Sequence, residues 1–230
     1  MISRAGHYEP VAREGFIFII PPGLIALLSW LAGYPWVSLI FILLTVAVAL
    51  FFRNPERTSP DGEAIVLSPA DGRVAEIVDD VRSESLPGVP LKRISIFMSI
   101  FNVHVNRWPI SGAVTRIKHV PGKFLDAREP AASEINEHNS IVIQGERESI
   151  EVVQIAGLIA RRIVCWVREG DTALQGQRFG LIRFGSRLDV YLPENFSFVV
   201  EVGSRMRAGV TVIAERKSPP AVLSGSEARV

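Results

Sequence analysis

Cysteine is almost missing from this chain: Cys165 is the single one among 230 residues. One thiol excludes an internal disulfide and a multi-cysteine zinc or iron–sulfur site. In the apolar run Ile163-Val164-Cys165-Trp166-Val167 it reads as a small buried hydrophobe. An excess of either charge is missing too, since 25 Lys and Arg against 24 Asp and Glu leave a formal net charge of +1. Without a global field the chain does not gather polyanions nonspecifically, so nucleic acid is not an expected partner. Nor does the sequence call for a metal.

Apolar residues are in excess, and they are unevenly placed. Two runs, 16–32 and 36–52, contain no charged residue and are separated only by Gly33-Tyr34-Pro35. Each is about as long as the roughly 17–25 residues that cross a bilayer core, so residues 1–52 are expected to form a helical membrane hairpin. Arg4 and Arg13 precede it and Arg53 and Arg57 follow it. Basic flanks on both sides place both ends on the cytoplasmic face of the cell membrane. Trp30, Tyr34 and Trp36 gather at the turn, where an aromatic belt would lie. A cleaved signal peptide fits poorly, because the first arm begins late, carries Pro21-Pro22 and is followed by a second arm. The proline pair also allows a kinked arm that re-enters instead of spanning. A buried hairpin of a soluble protein is the rival reading.

The segment 53–63 is polar and rich in Pro and Gly and reads as a linker. From 64 to 217 the apolar residues come in short β-branched runs, among them Val74 to Val78, Ile94 to Phe97, Ile150 to Ile155 and Phe179 to Phe184. Turn signals such as Asp71-Gly72, Pro87-Gly88 and Pro121-Gly122 separate them at the spacing of a barrel or sandwich. The expectation is a mainly β domain with one loop or short helix over 127–137. Residues 218–230 are small and polar, with too little apolar surface to offset ordering entropy, and read as a disordered tail.

Three segments put a functional group in a constrained turn: Ser68-Pro69-Ala70-Asp71-Gly72, Phe101 to Pro109 with His104 inside it, and Phe184-Gly185-Ser186. Singly, each has an ordinary explanation: a turn pair at Asp71-Gly72, a core histidine at His104, a bulge or hairpin tip at Gly185-Ser186. Together, in this order and behind an apolar hairpin, they resemble the phosphatidylserine decarboxylase family, in its short bacterial and archaeal type. The likeness extends through Val120-Pro121-Gly122-Lys123-Phe124, Asn136-Glu137-His138-Asn139, Gln154-Ile155-Ala156-Gly157 and Gly176-Gln177, and through the linker Phe52 to Arg57.

The resemblance implies a proenzyme that cuts itself between Gly185 and Ser186, leaving chains 1–185 and 186–230 paired as a heterodimer. Glycine offers an unhindered carbonyl in a turn that other residues resist, and serine a hydroxyl that can attack it to form an ester. Elimination and hydrolysis then leave a covalent pyruvoyl group in place of Ser186 and release ammonia. That ketone would form a Schiff base with the amine of phosphatidylserine in the membrane and act as the electron sink while carbon dioxide leaves, giving phosphatidylethanolamine. His104 is the candidate base and proton donor, with Asp71 as its partner. Homo-oligomerisation is left open.

Two departures from the family's pattern matter. Longer members carry a second histidine three positions after the first, where this chain has Arg107. Either His104 serves both reactions, or His119 or His138 supplies the second imidazole. Where longer members have Leu-Gly-Ser-Thr, this chain has Phe184-Gly185-Ser186-Arg187. Arg187 then faces the substrate's carboxylate or phosphate, or is an ordinary arginine on a strand. Arg53, Arg57 and Arg107 are further candidates for anionic contact.

A rival of another class is a lipoyl- or biotinyl-type carrier module, because the segments 68–74 and 168–177 look like the two halves of such a domain. The stretch where a carrier presents its modified lysine, Phe184 to Arg187, has none. The likeness therefore supports a barrel-sandwich-hybrid β fold more than a carrier function. A serine hydrolase would need a Gly-x-Ser-x-Gly elbow around Ser186, which is absent.

Overall fold

The computed structural model describes residues 9–127, 129, 132–158, 162–183 and 185–217. The tail expected over 218–230, and Arg4 of the first basic flank, lie outside the described residues. After a 3-10 turn at Arg13–Gly15, helix α1 (Phe16–Leu31) is continuous through Pro21 and Pro22, although each removes a donor from the helical ladder. Gly33, at φ 81°, makes the turn, and Pro35 opens α2 (Pro35–Phe51) at the position where its missing N–H costs nothing. The helices pack antiparallel, with Ser38 Oγ donating across to Ala26 O at 2.8 Å. Their outer faces expose Leu, Ile and Trp side chains that no other described residue covers. The segment Arg13–Leu31 is long and apolar enough to cross a membrane, and α2 is slightly shorter.

Both roots of the hairpin are stitched together and to the rest of the chain. Ala12 N donates to Phe52 O at 2.8 Å and Asn54 N to Pro10 O at 2.7 Å. Ala12, Phe51 and Phe52 pack with Val103, Val105 and Leu181 in a small apolar cluster of their own.

The strands are β1 (Ile65–Leu67), β2 (Gly72–Val81), β3 (Leu91–Met98), β4 (Val105–Arg107), β5 (Gly112–Val120), β6 (His138–Gln144) and β7 (Ser149–Ala156), with α3 (Ala132–Ile135) between β5 and β6. They continue with β8 (Ile163–Cys165), β9 (Thr172–Ala173), β10 (Arg178–Ile182), β11 (Ser186–Pro193), β12 (Phe196–Phe198), β13 (Arg205–Met206) and β14 (Val212–Arg216). One large sheet has the order β13-β2-β3-β11-β7-β6-β5-β9, and two three-stranded sheets, β4-β10-β8 and β1-β14-β12, complete the mainly β fold. Register shifts in β2 against β3, between Val74 and Glu76 and again between Val78 and Val81, add local twist and curl the large sheet. The curl encloses the main core of Ile94, Ile96, Ile141, Val152, Leu188 and Val190, closed by Trp108 stacked on Phe179 with ring centroids 4.2 Å apart.

Trp108 is fully buried, so Trp108→Ala should remove large apolar contacts that the core cannot refill. The expected loss is about 3–5 kcal/mol of stability, read as a lowered denaturation midpoint in detergent micelles.

Candidate active site at the end of the central strand

β11 lies in the middle of the large sheet, and its first residue, Ser186, is paired with Met98 of β3 on one side and Ala156 of β7 on the other. Directly opposed residues share a face, so Ser186 points with Leu188 and Val190 into the curl. Its side chain is 0% exposed and its hydroxyl has no hydrogen-bond partner among the described residues. Gly185 before it has φ 64°, in the left-handed region, and a Cβ there would meet nothing within 4 Å. A Cβ on Gly157, by contrast, would lie 1.9 Å from Gly185 O, so glycine at 157 is what lets the two backbones approach. Asn136 pins that end of β7, donating from Nδ2 to Ala156 O at 2.9 Å and Leu125 O at 2.9 Å while Oδ1 accepts from Leu125 N at 2.8 Å.

His104 lies in the loop between β3 and β4, 2% exposed, and packs on the last turn of α2 with its ring centroid 4.2 Å from that of Phe51. Its Nδ1 is 3.0 Å from Asn102 O, a pure acceptor, so Nδ1 carries the proton and Nε2 presents a lone pair; Nε2 is buried and has no partner among the described residues. Burial pushes this imidazole down to about 4; the Asn102 carbonyl and the Asp71 charge work against that, and the Arg53 charge with it. Asp71 acts on His104 through space, because its own oxygens are occupied. Arg57 grips both, at 2.5 and 2.9 Å, and Ala208 N donates to Oδ1 at 2.8 Å.

The other sequence candidates lie elsewhere. Arg107 is buried with its guanidinium on the carbonyls of Gly176 and Pro55, both at 2.8 Å. Burial and the neighbouring Arg178 and Arg57 charges push it down to about 10. Arg187 is on the face opposite Ser186, held by Asp189 at 2.6 and 3.0 Å and by Ser95 Oγ at 2.8 Å. His138 is paired with Ile155, which is paired with Arg187, and so shares that opposite face; its Nδ1 is 2.9 Å from Asn136 O. His119 is an exposed residue of β5, 3.8 Å from Glu137. Arg53 donates to Leu50 O at 2.6 Å and Phe101 O at 2.7 Å. Among the described residues no group of three or more His, Cys, Asp or Glu could hold a metal ion.

One feature near Ser186 escaped the sequence reading. Gln154, opposite Leu188 and thus on the Ser186 face, donates to Asn106 Oδ1 at 2.8 Å and accepts from Asn139 Nδ2 at 3.0 Å. The signal was there: a glutamine in the otherwise apolar run Val152-Val153-Gln154-Ile155-Ala156 needs buried partners.

The described residues thus form a curled β sheet with a buried serine hydroxyl at the head of its central strand, preceded by an apolar helical hairpin. The chain belongs to the phosphatidylserine decarboxylase family, whose sequence profile matches residues 44–214. It is 49% identical over 205 residues to a phosphatidylserine decarboxylase proenzyme of Syntrophus aciditrophicus (strain SB), covering 88% of this chain and 96% of that one. It is 47% identical over 213 residues to a phosphatidylserine decarboxylase proenzyme of Azorhizobium caulinodans, covering 92% and 91%.

The depressed His104 has a consequence for stability. The folded state holds this proton less tightly than the unfolded chain, so the contribution is complete above pH 6.5 and is lost as pH falls from there through about 4. Its size is roughly 3 kcal/mol. Denaturant midpoints measured between pH 7 and pH 4 in micelles should fall more steeply for the wild type than for His104→Gln.

Proposed function

We propose that the chain is made as a proenzyme, cuts itself between Gly185 and Ser186, and then decarboxylates phosphatidylserine to phosphatidylethanolamine at the cytoplasmic face of the cell membrane. The observation that carries the reading is the buried, unpartnered Ser186 hydroxyl behind a glycine in the left-handed region. A buried hydroxyl without a partner is costly in a merely structural role and is what an intramolecular nucleophile requires.

In the cleavage, Ser186 Oγ adds to the Gly185 carbonyl carbon, the peptide C–N bond breaks and an ester forms. Elimination frees the Gly185 carboxylate, and hydrolysis of the remaining enamine yields a pyruvoyl end; overall one water is consumed and one ammonia released. The proton from Oγ needs an acceptor, and His104 Nε2, neutral at pH 7 and unpartnered, is suited to take it. Asp71, fixed by Arg57 and Ala208, favours the imidazolium so formed.

The residues fit the resulting group: at the head of β11 a small planar ketone would occupy the volume of the serine side chain. Bound there, a pyruvoyl group supplies the electron sink for decarboxylation, with no metal required. The chain's own residues do the rest. His104 Nε2 carries the proton that must be delivered to the substrate carbon, and the curl keeps water out. Arg107, Arg187, His119 and His138, with other partners or on another face, are not assigned to these steps. One imidazole at His104 then serves both reactions.

The domain layout follows: hairpin 1–52, linker 53–63, β domain 64–217. Chains 1–185 and 186–230 stay together after cleavage because β11 is hydrogen-bonded on both sides by strands of the long chain. A lipid with two acyl chains does not readily leave the bilayer, so a hairpin whose root touches His104 brings the site to its substrate.

Intact mass tests this directly. Purified wild type should be two chains split after Gly185, the shorter one lighter by one ammonia than a fragment beginning with serine, and Ser186→Ala should stay whole. A folded wild type that remains one full-length chain would overturn the proposal. Gly185→Ala has room for its methyl but must adopt φ 64°, a strain of roughly 1 kcal/mol. It should fold and cleave more slowly than wild type in a time course on denaturing gels.

A further inference from the structure

The large sheet ends where β3 leaves at Met98, β7 leaves at Ala156 and β11 enters at Ser186, because Ser186 is in register with both. The segments that leave β3 and β7 at that end carry exposed apolar side chains. In the first, Ser99 and Asn102 close a tight turn: Asn102 N donates to Ser99 O at 3.0 Å, and Asn102 Oδ1 accepts from Ser99 N at 2.9 Å and Ser99 Oγ at 2.8 Å. Turns of this kind usually carry polar residues at their centre, yet here the centre is Ile100 and Phe101, the latter 80% exposed. In the second loop Leu158, two residues beyond Ala156, is 58% exposed. A rigid turn that holds a phenylalanine out of the protein needs an apolar medium to receive it.

The same turn is tied to the hairpin. Arg53 bridges Leu50 O at the end of α2 and Phe101 O, so the tip is fixed beside the place where the apolar hairpin leaves the β domain. Ser99 and Asn102 also line a cavity of about 540 Å³ that Arg73, Arg205 and Arg207 line with them. Arg73 and Arg205 are directly opposed across β2 and β13, a repulsive placement, and among the described residues no acidic side chain pairs with any of the three. Asp71 lines the cavity too, but Arg57 and Ala208 already occupy its oxygens.

We propose that this end of the β domain is a second membrane contact: Ile100, Phe101 and Leu158 dip into the acyl boundary of an anionic bilayer while Arg73, Arg205 and Arg207 engage its phosphate headgroups. Apolar tips beside an unpaired basic cluster match the depth profile of such a surface, apolar below and negative above. The contact holds the head of β11 toward the lipid. It rests on the reading of the hairpin as membrane-embedded, and not on the decarboxylation reading.

The test uses the full chain in a Cys165→Ala background with a polarity-sensitive fluorophore on Phe101→Cys, reconstituted into phosphatidylcholine vesicles with and without phosphatidylglycerol. Val89→Cys, in the exposed connection at the far end of β3, is the control. The label at 101 should shift to the blue and be quenched by doxyl-labelled lipid in the anionic vesicles, more weakly in the neutral ones, while the label at 89 stays water-like in both. Each arginine near an anionic surface is worth roughly fivefold in occupancy of the docked state, so Arg73→Gln, Arg205→Gln and Arg207→Gln combined should erase the difference between the vesicles. A label at 101 that behaves like the one at 89, or quenching that ignores lipid charge, overturns the contact. A chain that fails to float with vesicles overturns the hairpin reading and the contact with it. None of these readouts depends on cleavage or turnover.

Discussion

The register of β11 between β3 and β7 is the constraint on which the site depends. Because strand residues alternate faces, pairing Ser186 with Met98 and Ala156 sends its hydroxyl inward and Arg187 outward, and a slip of one residue would exchange them. That register is held from both faces. Leu188 and Val190 are anchored in the core, and on the other face Arg187 and Asp189 form a buried pair that also recruits Ser95. Breaking that pair would strand a buried charge, so the polar face resists a slip as firmly as the apolar one.

About half of the buried charged side chains fasten the linker to the β domain. Arg107 and Arg178 both reach Pro55 O, Arg178 also holds Asn54 and Glu56, and Arg57 closes on Asp71. The segment between hairpin and β domain is therefore a clamped strap, although its composition is that of a flexible linker. One effect is mechanical: the hairpin root, through Phe51 and Phe52, has a fixed position against Val103, Val105 and the His104 ring. Another is electrostatic, since Arg53, Arg57 and Arg107 are spent on carbonyls and a carboxylate, whereas Arg73, Arg205 and Arg207 have no acidic partner among the described residues.

Much of the fold was legible without coordinates. The apolar arms 16–32 and 36–52 became α1 and α2 to within a residue, because a run without charges flanked by Gly-Tyr-Pro has few other options. The β-branched runs became strands, and 127–137 contains the short helix α3. Gly185 has the left-handed backbone and His104 the loop position that their turn motifs imply, because local chemistry decides conformation there. Arg107, Arg187, His119 and His138 could not be sorted, since an arginine or histidine on a strand reads the same whether it faces a ligand, a carbonyl or water.

The sequence by itself determined the apolar hairpin, the β class and the identity of the glycine-serine pair, because composition, period and turn residues act over a few positions. Tertiary structure alone decided which side chains meet. Among the described residues the Ser186 hydroxyl has no hydrogen-bond partner, Asp71 is held by Arg57 instead of His104, Gln154 meets Asn106, and Arg73, Arg205 and Arg207 share a cavity without an acidic partner. Each of those outcomes depends on residues far apart in the chain being brought within about 3 Å by strand register and sheet curl, and hydrogen bonds and ion pairs are decided at that distance.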